Sequence, residues 1–377
     1  MTYEEKIKTA RYLARVFFEY ENNLEISEKP LDLSWDWVYG MAKRHFVEAL
    51  IFDAIGARAK LEAPEALYLD WSRDASLAGA KHIAQRVELE KLSAVFSANG
   101  IPFMPLKGFL IKELYKSPAL RQMTDIDIFV GRENLEKISA LLLEDGYTRD
   151  SSLEVHDSYK KLPFIEIELH KILHRSLSEY TMLDSLPTDE NQYRRKMSDE
   201  DFLIFLLHHA KKHDETGGVG MRTVFDFYLI FKKKNIDETS LLKRLRGEDL
   251  LDFYKNLRSL IALWFEDGEK TPQLLDFEIY TVTGGVFGNL ENAYLRQRKT
   301  KGGVALFFER VFPPYSLMSS RYPVLKKCPI LLPFFYPVRI VASIFNGRAG
   351  KNASAVRGAA RKERELEKLR KENADKL

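Results

Sequence analysis

Apolar residues recur at helical intervals through the first hundred positions. Ser34 stands as an N-cap ahead of Trp37, Met41, Phe46 and Leu50, with Gly56 near the expected end of that segment. A second run, from Pro64 to Ala98, sets Leu77, His82, Val87 and Leu92 at helical spacing and stops at Asn99-Gly100, a natural left-handed terminus. The pattern then changes. Ile101-Pro-Phe-Met-Pro is extended, Gly108 to Leu114 reads as a brief helix, and Asp125-Ile-Asp-Ile-Phe-Val alternates with period two. Asn134 to Leu143 is helical and closes at Gly146, and Phe164 to His170 alternates again. This succession predicts a compact α/β unit. From Ser198 the helical period returns through Phe202, Phe205, Leu206 and His209, then Val224, Phe227, Tyr228 and Phe231. The expected fold class is α+β and rich in helix: a small mixed sheet with its helices, flanked by N- and C-terminal helical regions. The expected divisions are 1–97 (helical), 98–180 (α/β core), 181–345 (helical) and 346–377 (a basic, solvated tail).

Composition narrows the partners. Hydrophobic residues at 45% and charged residues at 30% of 377 suit a chain with a buried core. One cysteine, Cys328, excludes an internal disulfide and a Cys-rich zinc cluster. A net charge of +3 argues against a nucleic-acid partner, and residues 346–377 alone carry +5, from ten basic and five acidic residues. The acidic start Met-Thr-Tyr-Glu-Glu-Lys is unlike a signal peptide, so the expected location is cytoplasmic. Cys328 to Phe345 is apolar enough to span a bilayer. Pro329, Pro333, Pro337 and Arg339 argue against a transmembrane segment and for a packed core piece, with a membrane-surface contact as the lesser alternative.

The chemistry gathers on the alternating strands. In the first, Asp125, Asp127 and Phe129 share one face, and Ile126, Ile128 and Val130 the other. Adjacent carboxylates repel, and a shared hard cation such as Mg²⁺ relieves them. The second repeats the design, with Glu166, Glu168 and His170 opposite Ile165, Ile167 and Leu169. If the strands are neighbours, one glutamate joins the aspartates and completes a carboxylate set suited to phosphoryl or nucleotidyl transfer. Upstream, Pro105-Leu-Lys-Gly-Phe turns into a helix at Gly108, offering backbone N–H groups and Lys107 to a phosphate. Arg121 is a further basic residue close by.

Leu106-Lys-Gly, Leu114-Tyr115, Arg121-x-Met123, Asp125-Ile-Asp127-Ile-Phe-Val, Gly146-Tyr147 and Glu168-Leu-His170 together resemble the uncharacterised nucleotidyltransferase family of the polymerase-beta-like superfamily. Lys212-His213, Arg222, Asp226, Phe312-Pro-Pro and Leu332-Pro extend the likeness over roughly 30–345. The resemblance implies a minimal nucleotidyltransferase fold and transfer of a nucleoside monophosphate from an NTP, with Mg²⁺ or Mn²⁺, to an unidentified hydroxyl-bearing acceptor, a small molecule or a protein. It implies Asp125, Asp127 and Glu168 as catalytic and metal-holding residues, and Lys107, Gly108 and Arg121 as nucleotide-binding ones. Lys107-Gly108-Phe109 stands where the superfamily has Gly-Ser, so the phosphates would rest on backbone N–H groups and Lys107. The alternative is a nucleotide-binding or interaction protein that kept the fold and lost turnover. His209 and His213 have zinc-pair spacing without a third ligand, and Arg222 and Asp226 form an i, i+4 pair.

Overall fold

The computed structural model describes residues 1–173, 186–188, 192–302, 308–309, 311–345 and 348–374, and the division expected at 180/181 lies outside them. The chain forms two compact units, Met1–Lys211 with Gly220–Lys270, and Lys212–Val219 with Thr271–Leu377.

In the first unit, α1 (Tyr3–Glu21) opens on a capping box. Thr2 Oγ1 accepts from the Glu5 N–H at 3.2 Å while the Glu5 carboxylate accepts from the Thr2 N–H at 2.6 Å. The segment expected as one helix after Ser34 is two, α2 (Trp35–Arg44) and α3 (Glu48–Glu62). Ser34 caps α2, but the chain breaks at Phe46, where φ is +55°, and Gly56 lies inside α3. A tertiary contact accompanies that break: buried His45 accepts the Met221 N–H on Nδ1 at 3.0 Å. Hydrophobic period alone cannot register such a contact. α4 (Glu65–Ala98) ends at Asn99-Gly100 as expected, with Gly100 at φ +67°. Its buried residues are Trp71, Gln85, Leu89, Leu92 and Phe96, whereas Leu77 and Val87 are exposed.

A five-stranded sheet follows, with β1 (Met104–Pro105), β2 (Ile126–Phe129), β3 (Thr148–Ser152), β4 (His156–Lys161) and β5 (Ile165–His170) in the order β1-β2-β5-β4-β3. β2 and β5 are parallel neighbours and the other pairs are antiparallel. α5 (Gly108–Lys112) and α6 (Leu135–Glu144) lie between strands in sequence. The sheet is mixed and small, as the alternation implied. β3 and β4 escaped that reading because Thr-Arg-Asp-Ser-Ser and His-Asp-Ser-Tyr-Lys-Lys carry no apolar alternation. Backbone pairing and ion pairs such as Arg149–Asp157, at 2.7 Å, hold them together.

Ile126, Ile128 and Val130, with Ile167 and Leu169, bury one face of β2 and β5 against Leu89, Leu92 and Phe96 of α4 and Ile138 and Leu142 of α6. Each such side chain contributes about 1.5–3 kcal/mol. Their alternates therefore stand on the opposite face. α7 (Asp199–Thr216) and α8 (Met221–Lys233) follow the expected period, and Phe225 of α8 stacks on Phe17 of α1 with centroids 4.0 Å apart.

The second unit corrects two expectations. The tail contains a helix, Arg348–Ala374, that is packed rather than solvated, burying Ala355, Ala359 and Leu366 beside the helices Pro272–Gly284 and Leu290–Lys301. Its apolar seam is narrow, two alanines and a leucine among many charges. Its buried ammonium, Lys362, donates to Thr283 Oγ1 and Asn292 Oδ1. Arg370 Nε donates to Asp276 at 3.0 Å. Tertiary partners, absent from a charge count, account for the packing.

Cys328 to Phe345 is likewise not a packed core piece. It holds a short 3-10 turn (Pro329–Leu331) and the helix Leu332–Phe345, on which Phe334 is 72% exposed. Pro333 falls in the first turn, where its missing N–H costs nothing, and Pro337 lies inside the helix. Among the described residues no helix is long and apolar enough to cross a membrane.

Candidate functional site

The parallel pairing of β2 with β5 sets Asp127 directly beside Glu168 and Phe129 beside His170. Asp125, Asp127 and Glu168 then offer carboxylate oxygens that all lie within 4.8 Å of one another. Glu166, two residues earlier, sits outside this group: it is half-buried and its carboxylate is 3.7 Å from Lys160 Nζ.

The three carboxylates differ in charge state. Burial, with the charges of Asp127 and Glu168 adding to it, pushes the Asp125 carboxyl up to about 6. Asp127 goes the other way. Burial would raise it, but the ammonium of Lys107 and the ring of His170 override that and hold it well below the usual carboxylate range. Lys107 Nζ lies 2.6 Å from Asp127 Oδ1, and His170 Nε2 lies 2.8 Å from the same oxygen. Both use Oδ1, so Oδ2 keeps its lone pairs for another ligand. Burial would lower His170, but its bonds to Asp127 and Glu168 outweigh that and raise it above its ordinary value.

The donor set fits a divalent ion such as Mg²⁺ or Mn²⁺. Three hard oxygens converge, and Asp125, raised first by its burial and then by the charges of Asp127 and Glu168, would be relieved by a cation. A second group, His156, Glu168 and His170, shares Glu168 and could also ligate a metal. His156 belongs to β4, so the sequence pattern gave no hint of it. Among the described residues these are the two ligand clusters, and neither contains His209 or His213.

Lys107 is the corner between β1 and α5, with φ +44° and ψ −118°, a conformation that L-residues rarely adopt. The Leu106 N–H donates to Asp127 O at 2.9 Å, which holds the corner against β2. At Gly108 a Cβ would lie 2.9 Å from Arg121 Nη1 and 3.3 Å from Met123 Sδ, so the absence of a side chain is what lets α5 approach the segment before β2.

Arg121, expected beside a phosphate, is instead committed to Asp226 of α8. Its Nε and Nη2 donate to the two carboxylate oxygens at 2.9 and 2.7 Å, with both side chains buried. Tyr115 Oη donates to the same carboxylate at 2.7 Å. Asp226 is thus Arg121's partner across 105 residues, while Arg222 Nη1 donates to Gln122 O at 2.6 Å. A planar fork on a carboxylate is what arginine does best, and no local spacing announces a contact this distant.

The profile of the uncharacterised nucleotidyltransferase family matches residues 32–266. The chain belongs to this family. The match takes in every residue of the carboxylate site and ends short of Phe312-Pro-Pro and Leu332-Pro. No curated protein and no solved structure matches the chain.

Beside the carboxylates the first unit holds a cavity of about 190 Å³ lined by Lys81, His82, Gln85, Lys112, Gln122 and Thr124, among others. It is somewhat larger than cavities of ~150 Å³ that hold a benzene ring. Lys112 is 1% exposed, and its Nζ lies 2.8 Å from His82 Nδ1 with no carboxylate partner among the described residues. Burial, helped by the charge of Arg121, pushes it down to about 8. Glu48 Oε2, also on the cavity wall, is buried without a hydrogen bond.

Proposed function

We propose that this family member transfers a nucleoside monophosphate from an NTP to a hydroxyl of a small acceptor. The observation that carries the reading is the convergence of Asp125, Asp127 and Glu168 from adjacent parallel strands. Those three residues would hold Mg²⁺ or Mn²⁺, which when bound neutralises the triphosphate and polarises the phosphorus under attack. Glu168 accepts the proton of the acceptor hydroxyl. The oxygen attacks the α-phosphorus, the bond to the bridging oxygen of pyrophosphate breaks, and pyrophosphate leaves with that electron pair. Lys107 and the turn at Gly108 hold the phosphates, with Lys107 leaving Asp127 to do so. His170 keeps Asp127 ionised and oriented throughout. Arg121 acts at one remove: its pair with Asp226 fixes the segment that leads into β2.

The cavity beside Asp125 is where we seat the acceptor, and its Lys81 and Lys112, neither of them in an ion pair among the described residues, favour an acceptor bearing an anionic group. The test is release of pyrophosphate from each NTP with Mg²⁺ or Mn²⁺ across a panel of hydroxylated phosphates and carboxylates. Turnover that disappears in Asp125→Asn and Asp127→Asn supports the reading. NTP binding without turnover on any acceptor refutes it.

One observation favours a second reading. Lys107 already supplies Asp127 with a cation at 2.6 Å, as a chain that binds nucleotide without metal or turnover would need. Calorimetry with Mn²⁺ separates the two, since the second reading expects no carboxylate-dependent heat.

A further inference from the structure

Residues 311–345 contain Arg321, Lys326, Lys327 and Arg339 and no acidic residue. Within the second unit they fold into three helices and a 3-10 turn that contact one another: Tyr315–Arg321, Val324–Lys327, Pro329–Leu331 and Leu332–Phe345. Met318 and Leu325 form their small interior. On the last helix Phe335 packs on Tyr322 with centroids 5.0 Å apart, and Tyr336 packs on Phe312 at 5.2 Å, its hydroxyl donating to Pro313 O at 3.2 Å. That is the inward face.

The outward face has the wrong polarity for water. Ile330 is 80% exposed, Phe334 72%, Val338 50% and Val341 51%. On the helix Leu332–Phe345, Phe334, Val338 and Val341, four and three residues apart, share one stripe with exposed Pro337 near it, and Ile330 stands in the 3-10 turn that leads into it. Scattered exposed apolar residues are ordinary, but a continuous apolar stripe marks a contact surface. Arg321, Lys326 and Lys327, also exposed, have no ion-pair partner among the described residues and lie just ahead of the stripe.

We propose that residues 311–345 form an interfacial membrane-binding surface, with Ile330 and the stripe Phe334-Val338-Val341 entering the headgroup region of an anionic bilayer and Arg321, Lys326 and Lys327 meeting its phosphates. The charge selects this occupant. A protein partner of stripe alone needs no excess of cations, whereas an anionic leaflet attracts each one. The helix Leu332–Phe345 has 14 residues and lies in the interface rather than crossing it.

The test uses the full chain and two vesicle preparations, phosphatidylcholine alone and phosphatidylcholine mixed with phosphatidylglycerol. Co-sedimentation should be strong with the mixed vesicles, weak with the neutral ones, and reduced by high salt. Lys326→Glu with Lys327→Glu should weaken binding to the mixed vesicles by at least about fivefold for each lysine charge removed. Phe334→Ser with Val338→Ser should abolish it at an unchanged thermal midpoint, because both side chains are exposed. Cys328, the single thiol, gives a local readout: an environment-sensitive fluorophore there should shift to the blue on the mixed vesicles. Failure of the folded wild-type chain to bind the mixed vesicles overturns the proposal. So does binding that the serine variant retains, or a dimer that the serine variant dissociates while lipid has no effect.

Discussion

Asp125 and Asp127 look equivalent in the sequence, and their environments make them opposites. Asp125 is raised by burial and by the charges of its neighbours, while Asp127 is held ionised by Lys107 and its bond to His170. In metal-free protein Asp125→Asn should therefore raise stability at pH 7.5, by roughly 1–3 kcal/mol given 1.36 kcal/mol per pKa unit. The sign follows from linkage. The folded state holds the Asp125 proton more tightly than the unfolded chain, so the cost is full above about 6 and vanishes below ~4. Thermal midpoints in EDTA across that range check it, and added Mn²⁺ should reverse the order by stabilising the wild type. Asp127→Asn should instead lose about 3–5 kcal/mol, because it strands a buried ammonium. Lys112→Met belongs to the same scale. It should leave Mn²⁺ heats unchanged while raising KM for an anionic acceptor at least ~10-fold, since a charge-assisted hydrogen bond contributes ~1.5–3 kcal/mol.

At the scale of elements, the carboxylate site depends on how α8 holds the approach to β2. Tyr115, Arg121 and Asp226 form one buried network. Asp226→Asn should destabilise the fold by about 3–5 kcal/mol, seen as a lower urea midpoint, although Asp226 touches none of the three carboxylates. Arg121→Lys should not preserve stability, because an ammonium cannot form the two parallel bonds of the guanidinium. The strands that carry the site were legible because their apolar alternates bury one face, which leaves Asp125, Asp127 and Glu168 on the other. β3 and β4 were not, because strands held by ladder bonds and ion pairs show no hydrophobic period. His156 stayed hidden with them.

For the whole molecule, the helix Arg348–Ala374 overturns the expectation of a solvated tail. Deleting residues from Arg348 onward removes the buried Ala355, Ala359, Lys362 and Leu366, the bonds of Lys362 to Thr283 and Asn292, and the bond of Arg370 to Asp276. The truncated chain should show a thermal midpoint lower by several degrees or poor solubility, which differential scanning fluorimetry would detect. An unchanged midpoint would mean that this helix contributes nothing to the second unit.

The sequence by itself determined the helical frame, the α/β segment and the facing of its carboxylates, because a strand's period of two and a helix's 3.6 are local rules. It also carried the family through motifs within one segment. Only the tertiary structure decided that β5 lies beside β2, that Lys107 and His170 both serve Asp127, and that Arg121 is bound to Asp226. It alone decided that the charged tail packs while the most apolar stretch stays exposed. The reason is common to all of these: pairing, burial and charge compensation depend on neighbours that the fold brings together across tens to hundreds of residues, and no local pattern encodes them.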